Sequence, residues 1–153
     1  MNTFHQPAHP KILEVPTLNP LALPRPIYSG KVRAGQSRFP SPAQDYEQAE
    51  LDLNKRLVRN PPATFFFTVS GDSMIGAGIF EGSTLVVDRS IKAKSTSIVV
   101  AMVEGELMVK RLYKRGAVVK LLSDNPAYAP ITLTEGQELI IWGVVTYVIN
   151  AAA

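Results

Sequence analysis

Proline crowds one end of this chain and limits what that end can become. Eight of the twelve prolines (Pro7, Pro10, Pro16, Pro20, Pro24, Pro26, Pro40 and Pro42) fall within the first 42 of 153 residues. Proline has no backbone N–H and drives the preceding residue out of the helical region. The stretch can therefore hold neither a long helix nor a central strand. An extended arm with one short edge strand is expected there, and the folded body must come from the remaining residues. A chain of this length is expected to form one domain with a tail, large enough for a single hydrophobic core.

The body reads as mainly β. From Thr64 onward, β-branched and aromatic runs recur with turn signals every ten or so residues. The expected strands are Thr64–Val69, Thr84–Asp88, Thr96–Val103, Glu106–Tyr113, Ala117–Leu122 and Glu138–Ile149. Glu104-Gly105 and Arg115-Gly116 read as hairpin turns, and Ser123–Pro130 as a longer loop. The last run, around Trp142 and Val144–Val148, is strongly β-branched and is the best candidate for a central or dimer-forming strand. Ahead of the body, Ser41-Pro42-Ala43-Gln44 has the residues of a helix start. Tyr46, Ala49, Leu53 and Leu57 come next at helical spacing, and Asn60-Pro61-Pro62 closes the segment. This predicts one amphipathic helix of about four turns joining arm to body.

Charge is uneven along the chain. Lys11, Arg25, Lys31 and Arg33 against Glu14 in the first 34 residues account for the whole formal net charge of +3. The basic and acidic residues of the remainder cancel. A neutral body offers little electrostatic footprint for polyphosphate, so no direct nucleic-acid binding is expected. Lys110-Arg111, Lys114-Arg115 and Lys120 are assigned to solvated strand ends rather than to a basic patch. A hydrophobic content of 46% argues against disorder of the whole chain. No apolar run approaches the roughly 18 residues that span a bilayer, and the N-terminus lacks the pattern of a signal peptide. The expectation is a cytoplasmic protein with no membrane contact.

The available chemistry is narrowed by what is absent. The chain has no cysteine, so neither a thiol nucleophile nor a disulfide can form. His5 and His9 are its only histidines; Pro7 between them argues against a helical metal pair, and no metal or cofactor is expected. Both lie in the arm, so a Ser-His-Asp triad is hard to build. Ser70-Gly71-Asp72-Ser73-Met74 closes the first strand run and precedes the Gly-punctuated Ile75–Gly82. A serine on such a turn can present its hydroxyl, and the neighbouring amides of Asp72 and Ser73 can hold an oxyanion. The hydroxyl needs a base. Strand alternation puts Lys110 on one face with Met108 and Leu112, where burial would favour the neutral amine. Pattern alone leaves the plain readings open: a loop serine and a solvated strand lysine. The same holds for Ala34-Gly35. Its small side chains let an active site approach the carbonyl, and they equally suit a linker.

Ser70-Gly71-Asp72-Ser73-Met74, Gly82–Asp88, Gly105–Leu112 and Asn125-Pro126-Ala127-Tyr128-Ala129-Pro130-Ile131 succeed one another in an order that resembles the LexA-like self-cleaving proteins, in particular the UmuD/MucA branch. The resemblance runs from about Gly30 to Val148. It implies a compact β domain like the C-terminal domain of LexA over 39–153, preceded by an extended arm over 1–38. It also implies Ser73 as nucleophile, Lys110 as base, and self-cleavage at Ala34-Gly35, upstream of Phe39-Pro40-Ser41-Pro42-Ala43. Gln36-Ser37-Arg38 separates Gly35 from Phe39 here, whereas relatives run from the glycine directly into the phenylalanine. The partners implied are a second copy of the chain, a RecA-type filament on single-stranded DNA that triggers the cut, and a Y-family (UmuC-like) polymerase for translesion synthesis in the SOS response. A Ser-Lys signal peptidase would need a membrane anchor. A repressor would need a helix-turn-helix before the cleavage site, which 34 proline-rich residues do not supply. A non-catalytic adaptor with a vestigial dyad has the same spacing.

Overall fold

The computed structural model describes residues 21–28, 35, 48–134 and 136–152. In the arm, β1 (Arg25–Tyr28) pairs antiparallel with β2 (Gln48–Leu51), in register from Arg25↔Leu51 to Tyr28↔Gln48. Pro26 is tolerated in such a strand because an edge position needs fewer donors. The ribbon brackets residues 29–47, and with them the Ala34–Gly35 bond. Ala34 lies outside the described residues, as do His5 and His9; Gly35 is exposed at a bend.

The helix expected from Ser41 to Leu57 is corrected. Residues 41–47 lie outside the described residues, and residues 48–51 are strand because β1 takes up their backbone groups. A helix, α1 (Leu53–Leu57), begins only after Asp52, whose Oδ1 accepts from the Asn54 amide at 2.9 Å. An aspartate N-cap satisfies amides that no earlier turn could serve, so the helix starts there. It gives way to a 3₁₀ turn at Pro61–Ala63.

The body is one seven-stranded antiparallel sheet built from β3 (Thr64–Thr68), β4 (Thr84–Asp88), β5 (Ile98–Val103), β6 (Glu106–Arg115), β7 (Val118–Leu122), β8 (Ile131–Thr132) and β9 (Leu139–Ile149). Their spatial order is β3-β4-β9-β5-β6-β7-β8, which puts the β-branched last strand near the middle. Each face of the sheet carries an apolar cluster. Val69, Met74, Ile79, Leu85, Val87 and Val100 form one; Val99, Ala101, Val103, Leu112, Leu121 and Val144 form the other. β4 and β5 therefore bury consecutive residues rather than alternate ones. The register shifts opposite Val86/Val87 and Val100/Ala101, leaving Thr146 and Trp142 of β9 without a cross-strand partner. Bulges of this kind bend a strand and sharpen its twist.

Among the strand ends that shift, two have a local cause. β5 starts at Ile98 instead of Thr96 because Thr96 adopts a φ of 80°, outside the strand region, while its amide still bonds Leu112 O at 2.7 Å. The β6–β7 turn falls at Gly116-Ala117, since Arg115 already pairs with Val118. The Glu104-Gly105 turn falls where expected, with φ of 51° and 85°, both positive as a type I′ hairpin requires. Among the described residues no helix is long and apolar enough to cross a membrane.

Candidate active site

Ser73 sits on a lobe that leaves the sheet after β3 and returns to β4. The lobe is closed at its base by two backbone bonds, Val69 N to Ser83 O and Gly82 N to Val69 O, each 2.9 Å. Its interior is anchored by Met74 and Ile79, 1% and 0% exposed. The Met74 carbonyl accepts from Ala77 N at 2.9 Å and from Ile79 N at 3.3 Å. Because Met74 is pinned inward, the preceding Ser73 is held at the rim. The Gly71 amide donates to the Glu81 carboxylate. Among the described residues, the amides of Asp72 and Ser73 donate to no protein acceptor.

Lys110 comes from β6, opposite Val99 of β5. It is only 8% exposed, flanked on its face by buried Leu112 and half-buried Met108. Its Nζ lies 2.7 Å from Ser73 Oγ and 3.0 Å from Ser123 Oγ. Burial penalises the ammonium and pushes the Lys110 pKa below the ordinary lysine range. The Tyr128 ring stands 5.5 Å from Nζ. Its hydroxyl donates to the Asp72 carboxylate, which holds the phenol protonated above its usual range. The expectation that Lys110-Arg111 is a solvated strand end is corrected. Lys110 is buried, and Arg111 is half-buried with its guanidinium on the Asp124 carboxylate and on Thr96 O. Lys114 and Arg115 are exposed, as expected.

A third segment, Ser123–Tyr128, fastens the lobe to the lysine strand. Asp124 O accepts from Gly76 N at 2.8 Å, and Asp124 N approaches Met74 Sδ at 3.4 Å. Asn125 Nδ2 donates to Asp72 O at 3.0 Å. A Cβ at Gly76 would lie 2.5 Å from the Asp124 carbonyl oxygen, so this approach requires glycine. Sequence reasoning reads this segment as a loop and gives none of its residues a role at the site. Its only sequence signals are the loop reading and the start of the LexA-like motif at Asn125, which leaves Ser123 and Asp124 unmarked.

Two residues thirty-seven positions apart thus meet within hydrogen-bond reach, a serine on a tight lobe and a lysine withdrawn from water. The Peptidase S24-like family model matches residues 26–146. The chain belongs to that family. Serine peptidase chemistry is characteristic of the S24 group, and the fold is the LexA-like one expected from the sequence. Within the family the chain is of the UmuD/MucA type. It is 39% identical over 148 residues to Protein ImpA of Salmonella typhimurium, covering 96% of this chain and 93% of the relative. It is 46% identical over 124 residues to Protein MucA of Escherichia coli, covering 80% and 82%. LexA repressor 2 of Pseudomonas putida is 38% identical over 135 residues, covering 88% of this chain and 59% of the relative.

Proposed function

We propose that this S24 protein is a self-cleaving serine peptidase that cuts its own arm between Ala34 and Gly35. What supports this reading most is the 2.7 Å contact between Lys110 Nζ and Ser73 Oγ, made by a lysine that is buried rather than solvated. In the neutral state the Lys110 lone pair accepts the Ser73 proton as Oγ bonds to the Ala34 carbonyl carbon. The negative charge collects on the carbonyl oxygen, which the amides of Ser73 and Asp72 would hold in this reading. The C–N bond to Gly35 then breaks, with Lys110 returning the proton to the departing amine. Water hydrolyses the Ser73 ester and frees the new carboxylate of Ala34. The products are an arm ending at Ala34 and a body beginning at Gly35.

The same reading assigns the biological setting. The protein acts as a homodimer in SOS mutagenesis, is cut when docked on a RecA-type filament, and then serves a Y-family polymerase as accessory subunit. The similarity to ImpA and MucA supports the UmuD type on which this setting rests.

Mass spectrometry of the purified full chain, incubated between pH 7 and pH 10, tests the chemistry. The expected result is a fragment starting at Gly35 whose rate of appearance rises with pH, because only the unprotonated amine accepts a proton. Lys110→Arg is expected to stay uncut throughout, since a guanidinium remains charged across that range. A rate that is flat with pH, or a cleaving Lys110→Arg chain, removes lysine from the mechanism.

A further inference from the structure

The geometry points to Ser123 as a positioning residue for the Lys110 amine, an assignment that rests on the self-cleavage reading above. β6 pairs with β7 in the register Arg111↔Leu122. One further step of that ladder sets Ser123 opposite Lys110 at the point where the chain leaves the sheet. Residues opposite one another in an antiparallel pair project from the same face. Accordingly, Ser123 Oγ stands 3.0 Å from Nζ, while Ser73 Oγ stands 2.7 Å away.

The chemistry explains why a second hydroxyl is useful. A lysine side chain has several rotatable bonds, and a neutral amine has one lone pair and two N–H donors. Burial makes the amine a base but does not aim it. Donating one N–H to Ser123 Oγ fixes the rotation of the amine, so the lone pair can face Ser73. Ser123 is itself held in place, because the next residue is tied on both sides. Asp124 receives Arg111 on its carboxylate and Gly76 N on its carbonyl at 2.8 Å. The titratable groups around the amine are few. Tyr128 faces it across 5.5 Å with Asp72 behind, and the neighbouring Arg111 and Asp124 are paired with each other.

Loss of the hydroxyl has a signature that simple loosening of the site lacks. Ser123 Oγ also accepts from the ammonium form and so favours it. Without Ser123 the amine should lose protons more readily, moving the midpoint of the rate–pH curve to lower pH, while poorer aim lowers the plateau. A loosened, wetter site would move the midpoint the other way, toward the ordinary lysine range.

The test compares self-cleavage of the full chain as wild type, Ser73→Ala, Ser123→Ala and Ser123→Thr from neutral to alkaline pH. Lys110 is titrated in parallel by NMR of its side-chain carbon, with Ser73→Ala added to keep each chain intact. Ser123→Ala is expected to lose about 10- to 100-fold at the plateau, the cost of a misplaced reacting group. Its Lys110 midpoint should fall. Ser123→Thr, which keeps the hydroxyl, should restore both to near wild type. If Ser123→Ala does not fold, Ser123→Cys supplies the same readout with a weaker hydrogen-bond partner. An unchanged plateau, a midpoint that stays or rises, or a Thr variant as slow as Ala overturns the role of Ser123 while leaving the dyad intact. A folded wild type that never releases the Gly35 fragment overturns the self-cleavage reading, and the role of Ser123 with it.

Discussion

The two-stranded ribbon and the seven-stranded sheet hold themselves together by different means. The sheet carries an apolar cluster on each face, and residues such as Ile79, Leu85 and Leu121 are fully or almost fully buried. Burying one such side chain contributes roughly 1.5–3 kcal/mol relative to leaving it exposed. The ribbon has four register pairs, and the side chains of residues 21–26, 49 and 50 are exposed. A two-stranded ribbon alone is marginal in water. The contrast suits the proposed self-cleavage, in which one part works on the other. Under that proposal the body would have to hold Ser73 and Lys110 to a few tenths of an ångström, whereas a segment to be cut and released would need no core. The proposed cut would leave β1 on the arm and β2 on the body, still paired through the four-residue ribbon.

The largest effect that separates the two regions should come from the site. Ser73→Ala is expected to abolish release of the Gly35 fragment while leaving the fold intact, because a rim hydroxyl contributes little to stability and a nucleophile is indispensable. Release from a protease-free Ser73→Ala preparation would mean that the body does not cut the arm. Next comes packing. Measured by urea unfolding in a Ser73→Ala background, Ile79→Ala should cost about 2–5 kcal/mol through transfer and cavity terms. Ile27→Ala in the ribbon, where the side chain is only half-buried, should cost no more than about 1 kcal/mol. Similar costs at the two positions would erase the distinction.

Gly76→Ala sharpens the comparison inside the body. The added Cβ would press on the Asp124 carbonyl oxygen 2.5 Å away, so the lobe and the Ser123–Tyr128 segment must part. A loss of about 1–3 kcal/mol is expected from such overpacking, with cleavage reduced further than stability alone explains. A variant as active and stable as wild type would show that the clamp between these segments is dispensable.

The smallest effect is a pH dependence. The folded Lys110 pKa is lowered by burial, so between that value and the ordinary lysine pKa the unfolded chain binds more protons than the folded one. Stability from this group therefore rises as pH rises through that window, and the penalty of burying the ammonium is fully present below it. Lys110→Met should lack this rise, which paired unfolding curves between neutral pH and about pH 10 would reveal. Parallel pH profiles for the two chains would place Lys110 in contact with water.

Much of the body is legible in the sequence because its signals are local. The strand at Thr84–Asp88 has the bounds expected from its β-branched run, and the other five expected strands are present with ends shifted by no more than two residues. Alternation alone places Lys110 on the Met108–Leu112 face, and the absence of cysteine and of any histidine in the body narrows the choice of base by composition. The arm-to-body helix is not legible in the same way. The spacing of Ala49, Leu53 and Leu57 fits a helix, while pairing with β1, a contact distant in sequence, claims residues 48–51 for a strand. Propensity is a weak prior where a tertiary partner satisfies the backbone otherwise.

The case of Ser123 shows the limit most clearly. A β6–β7 turn at Arg115-Gly116 would pair Lys114 with Ala117 and set Leu121 opposite Lys110. The turn lies one residue later, and the observed register sets Ser123 there. Sequence determined which residue types were available for chemistry and which strand faces could carry them, since composition and period are properties of the chain itself. Tertiary structure alone decided which hydroxyls reach the amine. Register and loop docking are settled by contacts between segments far apart in sequence, and a small slip exchanges an apolar neighbour for a hydrogen-bond partner.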